Sequence, residues 1–243
     1  MANIEDFSCL HAGNLYSEDT GELPDPLKKA FQQSESRSEA IVAVLDRVLL
    51  ALYPQGPTNP EMLFSAHFPG GEKAIPVFSS LAALQKIYPQ ARPLPINIRE
   101  IAKASFVHGS GLLVLDFQLP TQLYIGRSAA LALSAGIAWQ PAWRDAKLQI
   151  RLQQDIGKAA AEISQLPEFF HGVQLREGRF GSCILQLNIV PGTPRAQVEE
   201  LVKQATTVLS TPTYREVLLE PLEIMPVFSK DFYSEPINAR KEP

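Results

Sequence analysis

Cysteine is scarce in this sequence, with only Cys9 and Cys183 among 243 residues. They lie too far apart to form the paired spacing of a zinc site or the closely set framework of a disulfide-stabilised domain. The histidines are equally scattered and show no HxxxH spacing. We therefore expect reduced thiols, no metal site and no bound cofactor. The four histidines are His11, His67, His108 and His171.

Long apolar runs and an excess of basic charge are also missing. The longest uncharged, mostly apolar stretch, residues 128–142, is shorter than the roughly 20 residues that span a bilayer. The first residues carry no positive cluster followed by an apolar segment, as a secretory signal would. Twenty-two Lys and Arg against 26 Asp and Glu give a net charge of -4, which disfavours a nucleic-acid-binding protein. We expect a cytoplasmic protein with no membrane and no nucleic-acid partner.

The composition is that of a folded protein, with 45% hydrophobic and 20% charged residues. The length corresponds to about 1.6 typical domains. Acidity is concentrated at the start, because residues 1–36 hold seven Asp and Glu against Lys28 and Lys29. We interpret residues 1–37 as a loosely packed acidic arm with one helical piece near residues 26–33. A solvated tail and a specific interaction arm both fit this pattern.

Residues 38–138 predict a first domain of helices around a sheet. Apolar residues spaced for one helix face predict a helix over residues 39–53, opened by a capping box of Ser36 and Glu39. Alternation over residues 62–68 predicts a strand that turns at residues 69–71 into a second strand. The rest predicts a helix capped by Ser79 or Ser80, an extended segment at 93–96, a helix from Asn97, strands at 112–115 and 123–125, and a helix over 128–137.

Residues 141–233 predict a second domain, followed by a flexible tail at 234–243. A helix around residues 156–163 precedes a hairpin whose second strand, residues 183–189, places Gln186 and Asn188 outward. A helix from residue 194 to 209 and a short strand at 222–225 complete it. The predicted fold class is α/β, of the α+β type, with two small mixed-sheet domains, each a sheet covered by helices.

A short motif in the first domain, Ile75-Pro76-Val77-Phe78-Ser79-Ser80, is followed by Leu81 and Leu84, the helix from Asn97 and the apolar strand at 112–115. With Phe232-Tyr233 near the end, these features resemble the SseB family, named for enhanced serine sensitivity, over residues 38–233. The chain departs from the family after the strand at 112–115, where the family usually shows Asn-Pro-Gly and this chain has Asp116-Phe117-Gln118-Leu119-Pro120, and at Asp231, where Pro is usual. The resemblance implies a two-domain α/β or α+β cytoplasmic bacterial protein without an assigned reaction.

One constellation raises the question of catalysis. His108-Gly109-Ser110-Gly111 places a serine beside a histidine, and Asp116 follows an apolar strand, where ligand sites often collect. The string is not Gly-x-Ser-x-Gly, and it follows a helix and precedes a strand, the reverse of a nucleophile elbow. A helix-ending turn is the favoured interpretation, and Asp116 either caps the next turn or binds a ligand. A small hydrolase using Ser110, His108 and Asp116 is the alternative.

Two tryptophans, Trp139 and Trp143, stand at the junction of the predicted domains. They either pack between the domains or form an exposed interaction patch. Because no nucleophile, metal or phosphate-loop pattern is complete, we favour a non-enzymatic binding or regulatory module that contacts an unknown protein partner. A secretion-associated accessory protein is another alternative, and open sheet edges allow a homodimer. The candidate binding residues are Asp116, His108, Trp139 and Trp143.

Overall fold

The structure is a computed structural model that describes residues 20–53, 62–63, 65–68, 70–108, 110–163 and 169–229. Contacts within the chain divide it into two compact units, Met1–Gln140 and Pro141–Pro243. The first 19 residues of the predicted arm and the predicted tail at 234–243 lie outside the described residues. Both units combine helices with sheets, which confirms the predicted α/β fold class.

The described part of the first unit contains helices and strands that form two sheets. Its elements are α1 (Asp25–Phe31), α2 (Arg37–Val44), β1 (Arg47–Tyr53), β2 (Met62–Leu63), β3 (Ala66–His67), β4 (Lys73–Val77), α3 (Leu81–Ile87), β5 (Arg92–Asn97), α4 (Ile98–His108), β6 (Leu113–Leu115), β7 (Leu123–Ile125) and α5 (Arg127–Ala135). One sheet has the order β2-β1-β5 with antiparallel neighbours, and the other has the order β3-β4-β6-β7, in which only β4 and β6 are parallel. A bridge between Leu49 and Phe78 joins the two sheets.

The helix predicted over residues 39–53 is wrong in its second half, because α2 ends at Val44 and β1 begins at Arg47. Both faces of β1 are covered. Val48, Leu50 and Leu52 pack in the main core of the unit, whereas Leu49 and Ala51 pack in a smaller cluster with Phe78. A strand buried on both faces is an unbroken apolar run, which also satisfies helical spacing. Ser36 precedes α2 at φ 51 and makes no side-chain capping bond, so the predicted capping box is also wrong.

The strand predicted over residues 62–68 is two separate strands. Met62–Leu63 pairs with the end of β1, whereas Ala66–His67 pairs with the start of β4. The hairpin between β3 and β4 is confirmed, and Gly71 supplies the positive φ of 85° at its turn. Alternation alone did not separate the two strands, because the alternating apolar pattern continues through both.

Two predicted helix caps are present. The Oγ of Ser80 accepts a hydrogen bond from the Ala83 N–H at 3.1 Å and opens α3. The Oδ1 of Asn97 accepts one from the Arg99 N–H at 2.9 Å and opens α4. These bonds satisfy N–H groups that have no partner within the helix, so they fix where each helix begins.

The segment from residue 20 to 37 is not a loose arm. The predicted helical piece is present as α1, but its Leu27 and Ala30 are buried in the main core of the first unit. Before α1, the Gly21 carbonyl accepts from the Leu81 N–H at 2.7 Å, and the Glu22 carbonyl accepts from Arg47 at 2.7 Å. The burial of Leu27 and Ala30 is not evident from the sequence, because their acidic neighbours lower the mean hydropathy of the segment.

The described part of the second unit contains α6 (Ala146–Ile163), β8 (Phe170–Glu177), β9 (Cys183–Ile189), α7 (Arg195–Leu209), α8 (Pro212–Arg215) and β10 (Leu222–Phe228). Its strands form a sheet of order β10-β9-β8, in which β8 and β9 form the predicted antiparallel hairpin and β10 runs parallel to β9. The core joins inward residues of the strands, such as Leu185 and Leu187, to Leu152 of α6 and Leu201 of α7.

The second unit differs from the prediction in several details, and one is that β10 extends to Phe228, past the strand predicted at 222–225. α6 begins about ten residues earlier than its predicted core, where Asp145 Oδ1 accepts from the N–H groups of Lys147 and Leu148. Gln186 and Asn188 alternate with the inward residues but are buried rather than solvent-exposed. Gln186 Nε2 donates to Asn188 Oδ1 at 2.6 Å, and Asn188 Nδ2 donates to the Gly172 carbonyl at 3.3 Å. These bonds offset the cost of burying the amides.

Within the described ranges, no helix has the length and apolarity needed to cross a bilayer.

Candidate functional site

Asp116, at the end of β6, is a carboxylate only 1% exposed. Its Oδ1 accepts from the Ser79 N–H, and its Oδ2 accepts from the hydroxyls of Ser79 and Thr121, each at 2.8 Å. Ser79 follows β4, and because β4 and β6 are parallel, their carboxyl ends meet at the same edge of the sheet. Asp116 therefore ties the ends of two strands to the loop that carries Thr121.

The loop after β6 has an unusual backbone. Asp116 has φ 50 and Gln118 has φ 62, a left-handed conformation that Asp and Asn adopt more readily than most residues. The Asp116 carbonyl accepts from the Leu119 N–H at 3.0 Å, and Gln122 Oε1 accepts from the Gln118 N–H at 2.6 Å. The geometry of Asp116 is that of a turn-organising residue, and ligand binding by its carboxylate stays a prediction.

Ser110 lies at the opposite end of the same strand pair. Its Oγ donates to the carbonyl of Lys73, the first residue of β4, and its own carbonyl accepts from Arg127 Nε at 3.0 Å. Arg127 also pairs with Glu72 in the β3–β4 turn. The whole of β6 thus separates Ser110 from Asp116, so the structure does not bring them into the single cleft that the hydrolase alternative requires.

His108 is the last residue of α4, and its side chain lies outside the described part of the structure. The predicted helix-ending turn after it is present, with Gly111 at φ 73. A Cβ at Gly111 would lie 2.4 Å from the Phe106 ring, so glycine is required there for two reasons. The role of His108 in binding stays a prediction.

Trp139 lines a groove of about 330 Å³ in the first unit, between the end of α2, the start of α4 and the end of α5. We call it the Trp139 groove. The Trp139 Nε1–H donates to Ser128 Oγ at 2.9 Å, and the ring packs against the main core. Ile137, at the margin, is 67% exposed. The floor is formed by four buried apolar residues, Val42, Leu45, Ile98 and Leu133.

One cation borders the Trp139 groove. Arg99 lies in the first turn of α4, and with the described residues its guanidinium makes no ion pair. It lies against Gly136, the C-cap of α5 at φ 67, where a Cβ would be 2.8 Å from Arg99 Nη1. Glycine therefore both ends α5 and leaves room for the guanidinium. The positive end of the α4 dipole lies here too, but Glu39 lines the groove and Glu100 stands in the same first turn as Arg99, so the groove carries charges of both signs.

Trp143 belongs to the second unit. It lies in a single 3-10 turn, Ala142–Arg144, and packs against the core of that unit. Each tryptophan therefore packs against the core of its own unit. The two predicted alternatives, packing between the domains and a shared interaction patch, both stay predictions.

Cys183, the first residue of β9, is 1% exposed. Burial, with a smaller contribution from the charge of Glu220, raises the pKa of its thiol to about 12. The thiol is therefore protonated at neutral pH and is a poor nucleophile or metal ligand. Nowhere in the described ranges do three His, Cys, Asp or Glu side chains gather where they could hold a metal ion.

The sheet edges of the second unit bear on the predicted strand-pairing homodimer. Gln149 of α6 donates to the Val173 carbonyl at 2.6 Å and accepts from the Leu175 N–H at 2.9 Å. Gln153 accepts from the Val173 N–H at 2.7 Å. These side chains hydrogen-bond to the backbone groups on the outer edge of β8 with which another strand would otherwise pair. The other outer strand, β10, carries Pro226, which has no N–H to donate.

Sequence reasoning missed Arg99 and Ile137. The helix predicted over residues 128–137 ends two residues too late, because α5 ends at Ala135 and Gly136 is its C-cap. Glycine is a recognisable C-cap signal, and it could have marked the apolar Ile137 as a boundary residue. The approach of Arg99 to Gly136 is a contact between α4 and α5, and no local pattern encodes it.

Part of the first unit matches a known family. Residues 27–130 match the family described as SseB protein N-terminal domain. The matched segment contains the motif at residues 75–80, the Asp116 loop and the α2 and α4 walls of the Trp139 groove, but not Trp139 or Ile137. The resemblance predicted for the first domain is confirmed. The match does not extend to residues 141–233, where the resemblance stays a prediction. No curated protein matches the chain.

Proposed function

With residues 27–130 assigned to the SseB N-terminal domain, we propose that the protein is a non-enzymatic cytoplasmic binding module that contacts another protein at the Trp139 groove. The observation that carries this proposal is the exposure of Ile137, at 67%, beside a floor of buried apolar residues. A large apolar side chain at the margin of an apolar groove is typical of a surface that a partner covers.

The energetics of the groove suit a protein segment. Covering Ile137 would contribute about 1–2 kcal/mol from the apolar surface removed from water. Trp139 adds an aromatic surface of the kind that often dominates interface energies, and its N–H is already satisfied by Ser128. The best partner is an amphipathic segment with two or three apolar side chains and a carboxylate positioned for Arg99.

The residues that suggested chemistry support the non-enzymatic part of the proposal. Both oxygens of Asp116 accept hydrogen bonds from the chain itself, and the Ser110 hydroxyl is bonded to Lys73. The Cys183 thiol is held protonated by burial. A general base or nucleophile needs a reacting group within hydrogen-bonding reach, and these three groups are engaged in holding the fold.

Affinity capture from the native cell tests the proposal. The tagged full chain is compared with Ile137→Glu, which places a charge at the groove margin. Val107→Glu is the matched control, because Val107 is 74% exposed on α4 outside the groove lining. We expect the same partner with the parent and Val107→Glu, and about tenfold less with Ile137→Glu, equivalent to about 1.4 kcal/mol. Equal recovery by all three chains would exclude the groove as the binding site.

The identity of the captured protein separates this proposal from the secretion-associated alternative. A secretion-system subunit that is no longer recovered when residues 1–19 are deleted would favour the alternative; α1 is kept, because its Leu27 and Ala30 belong to the core. Cell fractionation checks the proposed cytoplasmic location. Light scattering at high concentration tests the predicted homodimer, because strand pairing between copies would double the measured mass.

A further inference from the structure

We propose that the segment which docks in the Trp139 groove is basic: an amphipathic segment of the partner protein whose polar face carries lysine or arginine. This inference rests on the proposed function, because it names the chemistry of the partner at that same site. It is carried by the helix ends that meet at the groove, by the acidic side chains beside it and by the position of Arg99.

The helix ends at the groove give it a negative potential. Residues from the last turns of α2 and α5 line the groove, and so does Ile98, the first residue of α4. A helix C-terminus carries roughly half a negative charge, and a helix N-terminus carries roughly half a positive one. Because two C-terminal ends and one N-terminal end meet here, the helix ends together favour a cation.

Three carboxylates add to this potential. Glu39 of α2 lines the groove, and Glu100 stands exposed in the first turn of α4. Asp46, between α2 and β1, is held at the start of α4, because its carbonyl accepts from the Ile98 N–H at 2.7 Å. Its exposed carboxylate accepts from Asn97 Nδ2 at 3.0 Å, and a neutral amide leaves the negative charge in place. A basic side chain of the partner would therefore meet carboxylates on both the α2 and the α4 sides of the groove.

Arg99, the cation among the described residues that line the groove, already faces an opposing charge. Its guanidinium lies against Gly136, the C-cap of α5, where a Cβ would be 2.8 Å from Arg99 Nη1. Its positive charge therefore offsets the negative end of α5. The last turn of α2 contains no basic residue that could do the same. The α2 side of the groove is thus where a basic side chain of the partner binds best.

The other described cations of α2, β1 and α4 do not line the groove. Arg37 Nη2 donates to the Thr121 carbonyl at 3.2 Å, and Arg47 Nη2 donates to the Glu22 carbonyl at 2.7 Å. Lys103 is exposed one turn beyond Arg99 on α4. The three carboxylates and the second helix C-terminus therefore outweigh the positive charge of Arg99 and Lys103.

The occupant that fits the groove is amphipathic as well as basic. Its apolar face covers Ile137 and Trp139 and supplies most of the affinity, because buried apolar surface contributes more than a screened surface ion pair. Its basic face selects the partner, since complementary charges set specificity and association rate more than affinity. The carboxylate opposite Arg99 is then the exception on a basic segment.

Synthetic peptides test the charge of the occupant directly. Three amphipathic peptides share one leucine face and differ in their polar face, which is lysine, glutamine or glutamate. Each is titrated into the full chain carrying Trp143→Phe, in which Trp139 is the sole tryptophan, and the change in fluorescence gives the dissociation constant. A screened surface ion pair changes affinity by roughly twofold. Three such pairs should make the lysine peptide bind about tenfold more tightly than the glutamine peptide at an ionic strength of about 0.01 M. The glutamate peptide should bind most weakly. The preference should disappear at about 1 M salt, where the screening length is only about 3 Å.

Two double variants of equal net charge locate the preference. Asp46→Asn with Glu100→Gln removes two of the three carboxylates at the groove and should reduce the preference from about tenfold to about twofold. Glu162→Gln with Glu216→Gln removes the same charge from exposed positions of the second unit and should leave the preference unchanged. Ile137→Ser should weaken all three peptides alike, because they share the apolar face.

Equal affinity of the three peptides at low salt, or the same loss of preference in both double variants, would overturn the proposal. Tightest binding by the glutamate peptide, or no fluorescence change with any peptide, would overturn it as well. If the peptides bind equally and Ile137→Ser weakens them all, the groove stays a docking site and the inference about its charge fails. Partner capture with Ile137→Glu reports on the proposed function alone, so the two failures are distinguishable.

Discussion

Replacing Asp116 by alanine should destabilise the first unit strongly. The change removes the acceptor of three hydrogen bonds, two of them from Ser79, which is buried. Each donor left buried without an acceptor costs about 1–3 kcal/mol, whereas Thr121 is half-buried and can bond to water. Alanine at φ 50 adds about 1 kcal/mol of backbone strain. We therefore expect a loss of about 3–7 kcal/mol in the free energy of unfolding.

Asparagine at the same position should cost only about 1 kcal/mol or less. Its Oδ1 can still accept from the Ser79 N–H, and its amide can donate to the hydroxyls of Ser79 and Thr121, which rotate to accept. Asparagine also tolerates the left-handed backbone of Asp116. The difference between Asp116→Ala and Asp116→Asn isolates the hydrogen-bond geometry from the charge.

Urea unfolding followed by Trp139 fluorescence measures these changes. The Trp143→Phe background makes the signal specific for the first unit. Asp25→Ala is the control, because the Asp25 side chain is 81% exposed and forms only a surface ion pair with Lys28 at 3.0 Å, worth about 0–1 kcal/mol. The reasoning is refuted if Asp116→Ala shifts the midpoint no more than Asp25→Ala, or if Asp116→Asn costs as much as Asp116→Ala.

Three further predictions concern a helix cap, a sheet edge and a buried thiol. Ser80→Ala removes the cap of α3 and should cost about 1 kcal/mol in the same urea assay; no change would exclude the cap. Gln149→Ala frees the Leu175 N–H, so amide hydrogen exchange there should accelerate about tenfold, with Gln174 as the control amide. Because the pKa of Cys183 is raised from 9.0 to about 12, its stabilising contribution is complete below pH 9 and declines by about 1.4 kcal/mol per pH unit toward pH 12. Guanidinium unfolding followed by Trp143 fluorescence in a Trp139→Phe background should show this decline, and Cys183→Ala should remove it. The pKa of Tyr214 is also raised by burial and by Asp155, so the parent and Cys183→Ala share a further decline in stability above pH 10.

The elements that were predicted well are those whose ends are marked by residues close to them in the sequence. α3 and α4 begin at side-chain caps, Ser80 and Asn97, that satisfy local N–H groups. β6 and β7 lie within a residue of their predicted ends, because polar and glycine residues bracket short apolar runs. In each case the signal lies within a few residues of the element, so no tertiary contact is needed to interpret it.

The elements that were predicted poorly are those whose structure depends on which other parts of the chain pack against them. β1 resembles a helix in its spacing because two different clusters bury its two faces. The sequence of α1 resembles a solvated arm because Leu27 and Ala30 are the residues of this helix that are buried. The Trp139 groove is harder still, since its parts come from α2, α4 and α5 and no single segment contains the pattern. Asp116 was found at the strand end, but its partners Ser79 and Thr121 became known only from the fold.

The left-handed backbone of the Asp116 loop has a physical account. Asp116 accepts from the Ser79 N–H and lies in the left-handed region, which Asp and Asn enter more readily than most residues. Gln118 has φ 62°, the conformation that glycine adopts without strain. The bond from the Gln118 N–H to Gln122 Oε1 holds that conformation here. Side-chain hydrogen bonds therefore offset the strain that a glycine at position 118 would avoid.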